Sequence, residues 1–199
     1  SIPGGIGASS GSGSNLEING GNVRFAYYMR RDLGSGPGEI QVTGGTSGFS
    51  HTQADTYGRL SFNNDVNTEV VWGSSFFQPT TLVLNEDNAD PDQVVNFQNK
   101  LDLNGADRTV ATNSTRGVSG SYINGSNGNM LTCGGRFTGD IRNSSGTAAG
   151  LIKEGPGHLQ LTATNTYDGG TTINEGTVQF TKLVSMPATG NVAVNDGTI

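Results

Sequence analysis

The sequence predicts an all-β chain wound as a parallel β-helix, and three observations carry that prediction. Gly, Asn, Thr and Ser together make 92 of the 199 residues, which suits many short strands and tight turns and disfavours helices. No segment holds an apolar helical period over three turns, so no helix is predicted. One word also recurs, an apolar-x-apolar triplet followed by Asn or Thr, at Leu16–Asn19, Ile40–Thr43, Leu60–Asn63, Leu82–Asn85, Leu101–Asn104, Leu159–Thr162 and Val192–Asn195. The first five starts are spaced by roughly 20 residues each, a period that suits one turn of a repeat coil. The gap from Leu101 to Leu159 is close to three such steps, with weaker candidates at Tyr122-Ile123-Asn124 and Ile141-Arg142-Asn143. An antiparallel sandwich or barrel competes, but it wants longer alternating strands and tight hairpin loops. Stacking equivalent strands about 4.8 Å apart selects the same word once per turn, and the Asn or Thr behind it is expected to form a ladder along one corner.

Taken in order, the chain opens on Ser1 to Gly13, rich in Gly and Ser, and reaches its first triplet at Leu16. In Phe25-Ala26-Tyr27, alternation places one face inward. Gly34 to Gly38 and Gly44 to Gly48 read as turns around a strand from Glu39 to Thr43, and Trp72-Gly73 reads as a strand end closed by a turn. Glu86-Asp87-Asn88-Ala89-Asp90-Pro91-Asp92 follows a strand and contains a proline, so it reads as a loop protruding from the coil.

The most regular stretch is Gly150 to Gln179. Leu151-Ile152, Leu159-Gln160-Leu161 and Thr171-Thr172-Ile173 read as three strands of one coil turn, separated by Gly155-Pro156-Gly157 and Asp168-Gly169-Gly170. Gly150, Leu151, Lys153, Gly155, Gly157, Leu159, Leu161, Asn165, Tyr167, Gly169, Gly170, Thr171, Ile173, Gly176 and Thr177 closely resemble the autotransporter-associated, or passenger-associated, β-strand repeat, with Val178 replacing a final Leu. The resemblance implies a right-handed coil and an exported protein of bacterial surfaces, some members of which carry a C-terminal outer-membrane barrel. Arg31 to Gly38, Gly44 to Ser50, Trp72 to Asn85 and Leu101 to Val110 also resemble stretches that precede this repeat in large surface proteins of some environmental bacteria.

An internal match suggests how the chain is used. Asn15 to Val23 aligns with Asn191 to Ile199, and Ser1-Ile2-Pro3 aligns with Ser185-Met186-Pro187 at a similar offset. The expectation is a single β-helix segment over residues 1–199, about one large tandem repeat, whose end restarts its beginning.

Composition narrows the function. A hydrophobic share of 32% predicts a thin core. A net charge of −6, three lysines and no basic run lack the footprint that nucleic acid or an anionic membrane requires. Crossing a bilayer as a helix takes about 20 consecutive apolar residues, and no run approaches that length, so direct membrane insertion is not expected. Cys133 is the sole cysteine, which forbids an internal disulfide and a thiolate metal cluster. Its small neighbours predict a buried residue, and only Arg136 is a nearby cation in sequence.

β-helices include pectin lyases and polygalacturonases, which set acid and base on neighbouring turns. No such pair of carboxylates is evident here, and there is no nucleophile elbow, His-Glu-x-x-His word or phosphate loop. The acidic loop 86–92 has dense oxygen ligands for calcium but lacks EF-hand or β-roll spacing. His51 and His158 have no partner in sequence, and His158 reads as a solvent-facing position between Gly157 and Leu159. Phe25, Tyr27, Tyr28, Trp72, Phe76, Phe77 and Tyr122 could form a sugar platform, with core or corner packing as the simpler role. The expectation is therefore no catalytic, metal-binding or cofactor-binding residue, no cofactor and no enzyme. A structural, exported β-helix forming an extracellular stalk or filament is expected, partnered by further copies of itself. The alternatives are a glycan-binding adhesin on surface glycans or a polysaccharide-degrading enzyme.

Overall fold

The computed structural model describes residues 13–52, 57–63, 65–86, 93–114 and 134–199. The chain winds through strands in a fixed rotation. β1 (Leu16–Phe25) and β2 (Tyr28–Arg31) form the first coil; β3 (Ile40–His51), β4 (Tyr57–Phe62) and β5 (Glu69–Val71) the second. β6 (Thr81–Leu84), β7 (Val94–Phe97) and β8 (Lys100–Asp102) make the third, and β9 (Arg108–Ala111), β10 (Gly134–Phe137) and β11 (Ile141–Arg142) the fourth. β12 (Leu151–Glu154) and β13 (His158–Leu161) follow, then β14 (Thr171–Ile173) and β15 (Gly176–Phe180) with a 3-10 turn at Leu183–Ser185, and finally β16 (Val192–Val194) and β17 (Gly197–Thr198). The first strand of every coil joins one seven-stranded sheet, β1-β3-β6-β9-β12-β14-β16, and the second joins another, β2-β4-β7-β10-β13-β15-β17. A third sheet, β5-β8-β11, closes the middle coils. Each of these ladders is parallel. The predicted parallel solenoid is the observed fold.

The core is a stack of inward side chains, one per coil. In the second sheet the register aligns Met29, Leu60, Phe97, Phe137, Leu161 and Phe180 in one column. The first five are sealed from solvent, and each such burial contributes about 1.5–3 kcal/mol. Phe97 meets Phe137 with ring centroids 5.2 Å apart, and Phe62 meets Phe49, Phe77 and Phe97 within 5.9 Å. The core is thin, as composition predicts, but continuous along the axis.

The recurrent triplet does not mark one corner. Leu60 lies in the second sheet, Leu82 in the first and Leu101 in the third, so successive words fall on different faces rather than at one corner once per turn. One column of the first sheet runs Gly21, Ser47, Leu82, Val110, Lys153, Ile173 and Val194, and its steps along the chain are unequal. The step from Val110 to Lys153 takes about twice as much chain as the step from Lys153 to Ile173. A short, even period thus holds only across the passenger-like stretch.

The polar residue behind the triplet has a local cause. Among the described residues, Asn63, Asn85 and Asn104 are the asparagines with positive φ, at 57°, 65° and 54°, and asparagine tolerates this left-handed conformation better than most residues with a Cβ. They let the strand turn its corner. At Thr162 and Asn195 the residue behind the triplet does join a ladder, as expected. Thr138, Thr162 and Thr181 stand on successive coils where the second sheet ends, each giving both its N–H and its hydroxyl to the carbonyl of the coil beneath, Phe97, Phe137 and Leu161. Asn195 donates to Asn174 at 2.6 Å, and Asn174 to Glu154 at 2.6 Å.

Asn15–Val23 and Asn191–Ile199 also differ in place. Val194 stands in the column of Gly21 rather than that of Ile18. β1 continues in the first sheet to Phe25, whereas the later segment turns after Val194 and enters the second sheet at Gly197. The two similar segments are therefore not equivalent positions along the coil. Ser1-Ile2-Pro3, Tyr122-Ile123-Asn124, Cys133 and the acidic residues 87–92 lie outside the described residues.

Candidate functional site

The passenger-like stretch is built around a lysine that points inward. Lys153 alternates with more accessible positions along β12 and lies in the buried column between Val110 and Ile173, fully sealed from solvent. Its ammonium donates to the carbonyls of Glu154 at 2.8 Å, Gly155 at 2.6 Å and Glu175 at 3.3 Å, tying the corner of one coil to that of the next. Burial brings its pKa down to about 8, against the raising influence of Glu175 and Glu154. Gly155 makes that corner at φ 76°, a conformation that a side chain strains. Gly176, at φ 72°, stacks so closely on the corner below that a Cβ would stand 2.3 Å from the Gly157 carbonyl oxygen.

The rest of the repeat staples coils together. Asn165 accepts from the Ile141 N–H at 2.9 Å on the coil below and donates to the Ser185 carbonyl at 2.6 Å on the coil above. Tyr167 is buried with its hydroxyl 2.7 Å from Thr171 Oγ1, and burial pushes its pKa up to about 12 despite that bond. Leu151 pairs with Thr171 across adjacent coils, so the three predicted strands are not one turn. Thr171–Ile173 opens the next coil.

Both histidines pack within the coil. His51 is fully buried, its ring 5.9 Å from Phe25, and its Nε2 accepts the Tyr27 N–H at 3.4 Å. Burial lowers its pKa. His158 is half-buried rather than solvent-facing, with Nε2 3.3 Å from Gln179 Oε1. It stacks beneath Thr177 in the second sheet, and burial lowers its pKa while the Gln179 contact opposes the shift.

Of the six aromatic candidates among the described residues, three are core and three are exposed. Phe25, Trp72 and Phe77 are sealed, and the Trp72 indole donates to the Pro79 carbonyl at 2.7 Å while Arg108 stacks over its ring. Tyr27, Tyr28 and Phe76 are exposed. Tyr27 has φ 64°, an unusual conformation for a bulky residue, and Arg59 covers the Tyr28 ring and donates to its hydroxyl at 2.9 Å. Arg136 stands in the register column of Arg59, Asn96 and Gln160. Tyr122 lies outside the described residues, and of the acidic loop 86–92 only Glu86 is within them. Among the described residues no three His, Cys, Asp or Glu gather as a metal site, and no helix is long and apolar enough to cross a membrane.

Charged side chains on the third sheet bridge coils. Arg142 forms a two-pronged pair with Glu69 two coils below, and Lys100 stands 4.0 Å from Asp140. Burial raises the Asp102 carboxyl, but the Ser144 hydroxyl and N–H, the Asn104 N–H and the Arg142 charge together hold it below the usual carboxylate range. Beside this sheet, where the second sheet turns into the third, lies an open groove of about 580 Å³. Sequence reasoning missed it, because its walls come from a few residues of each of four coils.

Residues 151–180 match the family described as Passenger-associated-transport-repeat. Neither a curated protein nor a solved structure matches the chain. The match begins at the first strand of the fifth coil and runs to the end of β15. The chain thus carries an autotransporter passenger repeat, which takes in the strands of its fifth and sixth coils.

Proposed function

We propose that this chain is a segment of an exported β-solenoid that serves as a stalk or filament at a bacterial surface, and that it is not an enzyme. The observation that carries the reading is register. The coils of the passenger repeat pair strand for strand with the coils on both sides, so the repeat is one section of a single axial ladder. Seven parallel strands at about 4.8 Å rise to roughly 30 Å of rod. The carboxylates of Glu69, Asp102 and Asp140 are engaged in contacts between coils, which suits a structural role.

The axial partner in this reading is more of the same coil, in tandem on one polypeptide or as a further copy head to tail. β16 repeats the register of β14 beneath it, and Val194 continues the Ile173 column while half-exposed. The register that β14 passes to β16 is one that a further coil can continue. Electron microscopy of the purified chain over a range of concentrations is the test. Rods that lengthen with concentration are expected; compact particles of constant size at every concentration would overturn the assembly reading.

A further inference from the structure

The groove where the second sheet turns into the third runs along the coil axis and crosses four coils. Each coil contributes its own level: Asn67 from the second, Gln98 and Lys100 from the third, Thr138 and Asp140 from the fourth, and Thr164 from the fifth. Its volume of about 580 Å³ falls within the range of about 300–1,000 Å³ usual for ligand clefts. We propose that this groove binds a neutral glycan chain laid parallel to the coil axis.

Three features select that ligand. The polar lining combines amides and hydroxyls, which both donate and accept, as sugar hydroxyls do. Its single Lys and single Asp are 4.0 Å apart and partly accessible, with side-chain exposures of 47% and 33%, so the lining carries no net charge to favour a polyanion. The levels recur about every 4.8 Å, comparable with the advance of one pyranose in an extended chain, so successive sugars meet successive coils. Val66 and Ala163 supply apolar contacts for the C–H faces of the rings. A peptide adding as a strand has no purchase here, because β8, which carries Lys100, and the strands β7 and β10 that lead into the groove are paired on both sides.

The reading does not rest on assembly and stands or falls separately. Native affinity electrophoresis with hydroxyethylcellulose, galactomannan and mixed-linkage β-glucan, and with polygalacturonate for comparison, tests it on the whole chain. At least one neutral polymer is expected to retard the protein, and Gln98→Ala with Asp140→Ala to weaken that retardation about fivefold, the loss of roughly one net hydrogen bond. Thr164→Arg, at an exposed position on the groove wall, should block binding without touching a coil-to-coil contact; circular dichroism checks that each variant is folded. The proposal is overturned if no neutral polymer retards the chain, if retardation is unchanged in the folded variants, or if polygalacturonate alone is bound.

Discussion

Lys153 shows how much a single residue decides. Among the side chains sealed in the first sheet's inner column it alone is basic, and a pKa lowered from 10.5 to about 8 means that holding it charged costs about 3 kcal/mol relative to solvent. The sign follows from proton counting. Between pH 8 and 10.5 the folded chain releases this proton before the unfolded chain does, so the unfolded state binds more protons and stability rises with pH. Tyr167 acts in the opposite sense above pH 10, because its pKa is raised to about 12 in the folded state, and stability then falls as the unfolded tyrosine ionises. Urea unfolding should therefore show greater stability at pH 9.5 than at pH 7, with a decline above pH 10, and Lys153→Met should flatten the rise. A stability that falls steadily from pH 7 would refute the buried charge. The sequence showed Lys153 as a family position but not its inward direction, since alternation along Leu151-Ile152-Lys153-Glu154 assigns a lysine to the interior only against its usual preference.

At the scale of strands and corners, the triplet words were legible as strands because apolar alternation is local. Their shared polar follower was also visible, but its purpose was not, because an asparagine ladder and a left-handed corner leave the same letter in the sequence. Asn85 separates the two roles. It is fully buried at φ 65°, its amide oxygen accepts the His51 N–H at 2.9 Å, and its amide nitrogen donates to the Gln93 and Gly134 carbonyls at 2.9 and 2.8 Å. Asn85→Gly keeps the corner and deletes the staple, whereas Asn85→Ala loses both. Chemical denaturation should place both variants below the parent by at least about 2 kcal/mol, with Ala about 1 kcal/mol lower than Gly. Equal losses would mean that the corner conformation carries no cost. The groove was illegible for a related reason: Asn67, Gln98, Asp140 and Thr164 are far apart in sequence, and only the stacking of coils of unequal length brings them into line.

For the whole molecule, evenly spaced triplets suggest a uniform period, and that inference fails because three sheets contribute similar words. The coil from Val110 to Lys153 is about twice as long as the coil from Lys153 to Ile173, while their strands keep one register. The ladder thus keeps one register across coils of unequal length. This inequality has a mechanical consequence. The hydrogen bonds between coils lie along the axis, so tension applied at the two ends loads them one coil at a time and peels the solenoid instead of shearing it. Each peeled coil frees its own contour length, about 70 Å between Lys153 and Ile173 and about 150 Å between Val110 and Lys153. Single-molecule stretching should record a series of unequal extensions in those proportions at low force. One extension spanning the whole chain would instead show that the coils yield together.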